Sequence, residues 1–144
     1  MVDAVRLARL LQRAGEQLSR LRAHAGNDRA ALRADDLRLA AVKYGFITTL
    51  EAVLDVTHHV LASELWGPAE TAADAVRLLV GHGVLEVETG ERIARAVGFR
   101  NVLVHGYADV DDDLVVANLD RLDDVQRFVD QVREWASGGT TSMA

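Results

Sequence analysis

Eight residues, Arg100-Asn101-Val102-Leu103-Val104-His105-Gly106-Tyr107, set a permanent cation, an amide, an imidazole and a phenol at the end of an otherwise apolar helix. An arginine binds phosphate oxygens through a planar fork. A histidine moves protons near neutral pH. Together they can cleave or hold a phosphodiester. Asn101 and His105 are four apart and share a helical face. Arg100 and His105 lie about 140° apart on an ideal helix, so one helix presents them poorly as a pair. Either the long arginine bends round, or two copies of the helix face each other across a two-fold axis and bring two Arg and two His to one cleft. The same spacing also fits a plain capped helix end, with His105 on free carbonyls, Arg100 solvated and Tyr107 packed as a staple.

Other candidate groups are weaker. A second Arg-x4-His pair, Arg77 and His82, has His82 between Gly81 and Gly83 with no amide or phenol nearby, and reads as a loop. Glu51, Asp55 and His58 fall at i, i+4 and i+7 on one long helix, with Tyr44 seven residues before Glu51. This stripe could line the cleft, order an interface or bind a metal, although its ligand spacing is poor for a metal. Asp111-Asp112-Asp113 reads as a solvated loop and helix N-cap. It lacks the spacing of a calcium loop. The sequence has no glycine-rich phosphate loop and no nucleophile elbow.

The elements that must position these groups are helical. The 144 residues suit one domain with its own core, and Ala, Leu, Val and Arg favour helix. An apolar stripe (Val5, Leu7, Leu10, Leu11, Ala14, Leu18, Leu21) predicts a first helix over about 3–25. Residues 28–34 read as a short basic connection. Asp35 or Asp36 caps a second, long helix to about Leu65, with Leu37, Ala40, Tyr44, Ile47, Leu50, Leu54, Leu61 and Leu65 as its stripe and Gly67-Pro68 as its stop. A third helix is expected over about 70–80 and a fourth over about 88–105, with Ile93, Ala96, Val97, Val102 and Val104 apolar. The fifth, over about 114–136, carries Leu119, Leu122, Val125, Val129 and Val132. The pattern predicts an all-α, up-and-down bundle of about five helices in a single domain, 1–136, followed by a disordered polar tail, 137–144.

Charge and composition narrow the function. No cysteine is present, which excludes disulfides, thiolate metal sites and a cysteine nucleophile. No apolar run approaches the roughly 18 residues of a membrane span, and no signal peptide is evident, so a cytoplasmic protein without membrane contact is expected. The net charge of −6 argues against a general nucleic-acid binder. The charge is uneven, however. Residues 1–43 hold eight arginines and Lys43 against five acids; the remainder holds seven arginines against seventeen acids. Any RNA contact must be salt-sensitive and confined to the arginine-rich first helices and the cleft.

The run Arg100-Asn101-x-Leu103-Val104-His105-x-Tyr107, following a helical pair of this length, resembles the HEPN superfamily and more closely its HepT-type toxins. The resemblance covers about residues 3–136, including Glu51-Ala-Val-Leu-Asp55 and the Gly83-Val84-Leu85 turn. It implies a HEPN-like four-helix core in a homodimer, with Arg and His of both copies in the interface cleft. It implies a metal-independent, cofactor-free endoribonuclease toxin of a type VII-like toxin–antitoxin pair. On this chain Arg100 would stabilise the transition state, His105 would act as general acid or base, and Asn101 would orient His105 or the phosphate. Glu51, Asp55 and His58 would line the cleft. The resemblance also implies a partner antitoxin, a minimal nucleotidyltransferase that adds AMP to Tyr107 and forms a heteromeric complex with the toxin. The alternative is a non-catalytic HEPN module that binds a nucleotide or that partner; a plain helical dimerisation protein is a third reading.

Overall fold

The computed structural model describes residues 2–106 and 109–138, and these form helices without strands. In chain order they are α1 (Ala4–Ala25), α2 (Arg29–Arg33), α3 (Asp36–Glu64), α4 (Ala72–Gly81), α5 (Val87–Gly106), α6 (Asp112–Asn118), a 3-10 turn (Leu119–Arg121) and α7 (Asp123–Ala136). Short acidic and hydroxyl side chains start them. Asp3 accepts from the backbone N–H groups of Val5 and Arg6, Asp28 from Ala31, Asp35 from Arg38 and Thr71 from Asp74. Each bond satisfies an N–H that has no partner inside the helix.

α1 buries Leu7, Leu11, Ala14, Leu18, Leu21 and Ala25, a stripe at steps of four and three. It lies antiparallel on α3, and the Arg38 guanidinium at the start of α3 donates to the carbonyls of His24 and Ala25 at the end of α1. The two backbones approach closely at Gly45, where an added Cβ would sit 2.9 Å from Leu21 Cδ1. α3 is the hub, touched by α1, α2, α4 and α5. Its buried arc is therefore wide, from Leu39, Val42 and Phe46 through Val53 and Val56 to Val60.

Several expectations need correction. Residues 29–33 are a helix rather than a connection, and the expected fifth helix is two helices joined by a 3-10 turn. α3 stops before Gly67-Pro68: Leu65 takes a left-handed conformation (φ 58°) and the Trp66 N–H bonds back to the Leu61 carbonyl. Val5, Leu37, Tyr44, Leu65, Val102 and Val104 are exposed, not core. The run Asp111–Asp113 is not merely solvated. Asp111 caps α6, while Asp112 pairs with Lys43 at 2.9 Å and Asp113 with Arg33 at 2.8 Å. With Arg22–Asp123 (2.7 Å) and Arg29–Asp120 (3.5 Å), these pairs fasten the acidic C-terminal third onto the basic N-terminal end. The hydrogen bond that Arg33 Nε donates to Asp113, before all other causes, raises the Arg33 pKa. No described helix is long and apolar enough to cross a membrane. Residues 139–144 of the expected tail lie outside the described residues.

Candidate functional site

α5 supplies the motif, and its buried side fixes where the motif stands. Ile93, Ala94, Val97, Phe99 and Leu103 face the core, and Phe99 meets Phe46 of α3 edge-on, with ring centroids 5.3 Å apart. Phe99 thus anchors the backbone immediately before Arg100. The next residues turn outward: Arg100 is partly covered, while Asn101 and His105 are exposed one turn apart.

Arg100 is held from two sides. Its Nη2 donates to Glu51 Oε2 on α3 at 3.1 Å, and its Nη1 donates to Asn101 Oδ1 at 2.9 Å. Its Nε is shut off from solvent and has no hydrogen-bond partner among the described residues. A guanidinium so fixed retains N–H groups for an incoming oxyanion. Asn101 is tied to Arg100 through its oxygen, which leaves its amide N–H2 to donate.

The sequence-derived set is therefore divided. Arg100, Asn101 and Glu51 are in direct contact. His105 stands at the exposed C-terminal end of α5. Asp55 and His58 sit on the same exposed stripe of α3 as Glu51, but they line a separate groove with Arg6, Leu10, Arg13 and His59. The sequence confines any RNA contact to the arginine-rich first helices without singling out a residue there; in the structure Arg6 and Arg13, seven apart on α1, are the arginines that line this groove. Tyr107 lies outside the described residues. Among the described residues no three His, Asp or Glu side chains converge as metal ligands. The second Arg-x4-His pair is dispersed: Arg77 binds Glu91 at 3.1 Å, and His82 stacks on Trp66 at 4.1 Å. Val102, Val104 and Tyr44 leave apolar surface exposed on the two helices that carry the motif.

An all-helical bundle with Arg100 and His105 at the open end of α5 defines the class, and comparison with known proteins places it. Residues 6–132 match the model of the family described as ribonuclease HepT-like, and the chain belongs to that family. The mRNA nuclease HepT of Shewanella oneidensis is 26% identical over 84 residues, 58% of this chain and 63% of that protein. A relative from Archaeoglobus fulgidus is 29% identical over 86 residues, 60% of this chain and 64% of its own length. The matches thus span just under two thirds of these relatives. The fold is that of a Shewanella oneidensis HEPN toxin solved tri-AMPylated in complex with its MNT antitoxin (TM-score 0.80, 21% identity, 88% of this chain and 96% of that one). A toxin–antitoxin structure with AMP-PNP is equally similar (TM-score 0.81, 20% identity, 88% and 96%). So is YutE, a cytosolic Bacillus subtilis protein of unknown function (TM-score 0.80, 17% identity, 93% and 90%).

Proposed function

We propose that this protein is an endoribonuclease toxin that needs no metal, acts as a homodimer in the cytoplasm and is restrained by a minimal nucleotidyltransferase antitoxin. The observation that carries this reading is the clamp on Arg100, which holds a guanidinium against α5 by Glu51 and Asn101 one turn before an exposed His105. Membership of the ribonuclease HepT-like family supports it. The exposed Val102 and Val104 flanking the motif support a second copy of the helix packed there, which would bring two Arg100 and two His105 into one cleft.

In the reaction, the ribose 2′-oxygen attacks phosphorus and the bond to the 5′-oxygen breaks. One His105 imidazole takes the 2′-hydroxyl proton, and the His105 of the second copy, as imidazolium, gives its proton to the leaving 5′-oxygen. Arg100 neutralises the charge that grows on the non-bridging oxygens. The products are a 2′,3′-cyclic phosphate and a 5′-hydroxyl. Restraint follows when the Tyr107 oxygen attacks the α-phosphate of ATP and releases pyrophosphate. The attached AMP, two residues from His105, then competes for Arg100 and blocks the cleft.

The test is expression of wild type, Arg100→Ala and His105→Ala without any partner, scored by growth and RNA integrity. The reading expects toxicity and RNA breakage with wild type and neither with the variants. A folded wild type, unmodified at Tyr107, that leaves RNA intact transfers the lead to a binding module.

A further inference from the structure

Arg22, Arg29, Arg33 and Lys43 all bind aspartates between Asp112 and Asp123. Arg6, Arg9, Arg13 and Arg20 on α1 make no ion pair among the described residues, and of these Arg6 and Arg13 share one groove. They stand two turns apart on α1, both exposed. They line a groove of about 390 Å3 between α1 and α3, with Leu10 between them and Asp55, His58 and His59 opposite. Two guanidinium groups against the single Asp55 carboxylate leave the groove net positive within an acidic protein.

The groove is also aligned with the site. Glu51, Asp55 and His58 form one exposed stripe on α3. At its start Glu51 holds Arg100; about 10.5 Å further along the axis His58 enters the groove. We infer that the Arg6–Arg13 groove is a second phosphodiester site which, on the ribonuclease reading above, holds the RNA backbone beside the scissile bond. The strand runs along the α3 stripe, and Arg6 and Arg13 each take a phosphate. Contacts of this kind position a strand without reading its bases.

The experiment measures binding of a fluorescent single-stranded RNA of about a dozen nucleotides by the full chain across a salt series, with cleavage kinetics alongside. It compares wild type, the double variant Arg6→Ala/Arg13→Ala, the conservative Arg6→Lys/Arg13→Lys, and a charge-matched control, Arg77→Ala/Arg133→Ala. The expected result for the alanine pair is an affinity loss of about tenfold or more and a slope of log K on log salt shallower by about 1.4, two phosphates at about 0.7 each. KM rises in parallel while kcat holds, and the lysine pair keeps most of the affinity. The control stays within about twofold of wild type, since its arginines are already paired. A weakened slope with no cleavage by wild type sustains the groove and removes the nuclease. Cleavage with unchanged KM and slope in the alanine pair overturns the groove and leaves the nuclease standing. Equal loss in the control, absence of RNA binding by folded wild type, or loss of antitoxin binding alone also overturns the groove as an RNA site.

Discussion

Glu51 Oε2 accepts a hydrogen bond from Arg100 Nη2 at 3.1 Å and joins the middle of α3 to the motif on α5 across 49 residues of sequence. Both side chains are partly exposed, 48% for Glu51 and 24% for Arg100, so solvent screens the pair. Its contribution to stability is small, about 0–1 kcal/mol. Its consequence is directional: it fixes one end of a fork that otherwise samples many rotamers.

On the ribonuclease reading, removing that constraint is expected to affect activity more than folding. Glu51→Ala is expected to lower kcat about tenfold, as misplacement of a charge-stabilising group does, and to leave the urea midpoint near wild type. Glu51→Gln keeps an acceptor and restores most of kcat. Paired kinetics and urea titrations check both, and a Glu51→Ala protein that melts early but turns over normally would sink the positioning role.

Phe99→Ala has the opposite signature. The ring is buried edge-on against Phe46 and lies one residue before Arg100. Truncation costs about 3–5 kcal/mol, the range for a buried aromatic, and activity falls with the folded fraction. Denaturation followed by circular dichroism gives the stability; Phe99→Leu, which fills most of the space, is expected to recover the larger share.

Gly90 predicts a loss where helix propensity alone predicts a gain. It lies in the first turn of α5, and a Cβ added there would run into Cγ2 of Val80 on α4. Valine is stiff about χ1 and cannot swing aside freely. Alanine in a helix gains up to about 1 kcal/mol over glycine. Overpacking costs about 1–3 kcal/mol, so the net effect is destabilising. A thermal melt of Gly90→Ala above wild type would show that α4 yields at this contact.

These cases indicate how much was readable in advance. The α1 stripe, the Asp35 cap and the motif at the end of α5 were legible because each depends on local spacing. The core face of α3 was not: four elements surround it, so nearly every apolar position fits some interface, and Leu37 and Tyr44 looked as buried as Leu50. The break at Leu119–Arg121 was hidden because Leu119, Leu122 and Val125, spaced by three, suit a 3-10 turn as well as a helix. At the site, the motif residues could be named, but Glu51 as the partner of Arg100 and the union of Asp55 with the arginines of α1 needed the packing of three helices.

The charge pairing between the two ends of the chain gives a last prediction that separates two neighbouring aspartates. Asp112 reaches the Lys43 ammonium at 2.9 Å, where the lysine side chain is only 12% exposed. Asp113 binds Arg33 at 2.8 Å, but its own side chain is 78% exposed. Removing Asp112 takes one carboxylate away from a largely covered cation and weakens what offsets its desolvation. Asp112→Ala is therefore expected to destabilise by about 1.5–3 kcal/mol, the range for a hydrogen bond to a charged group. Asp113→Ala leaves Arg33 about half exposed and still paired with Asp112 at 3.5 Å, and should not move the midpoint measurably. Raised salt should narrow the gap only slightly, because the covered pair is screened less than the exposed one. Urea titrations of both variants at low and high salt measure the order, and an equal or reversed effect would show that α6 is not held on α3 through Lys43.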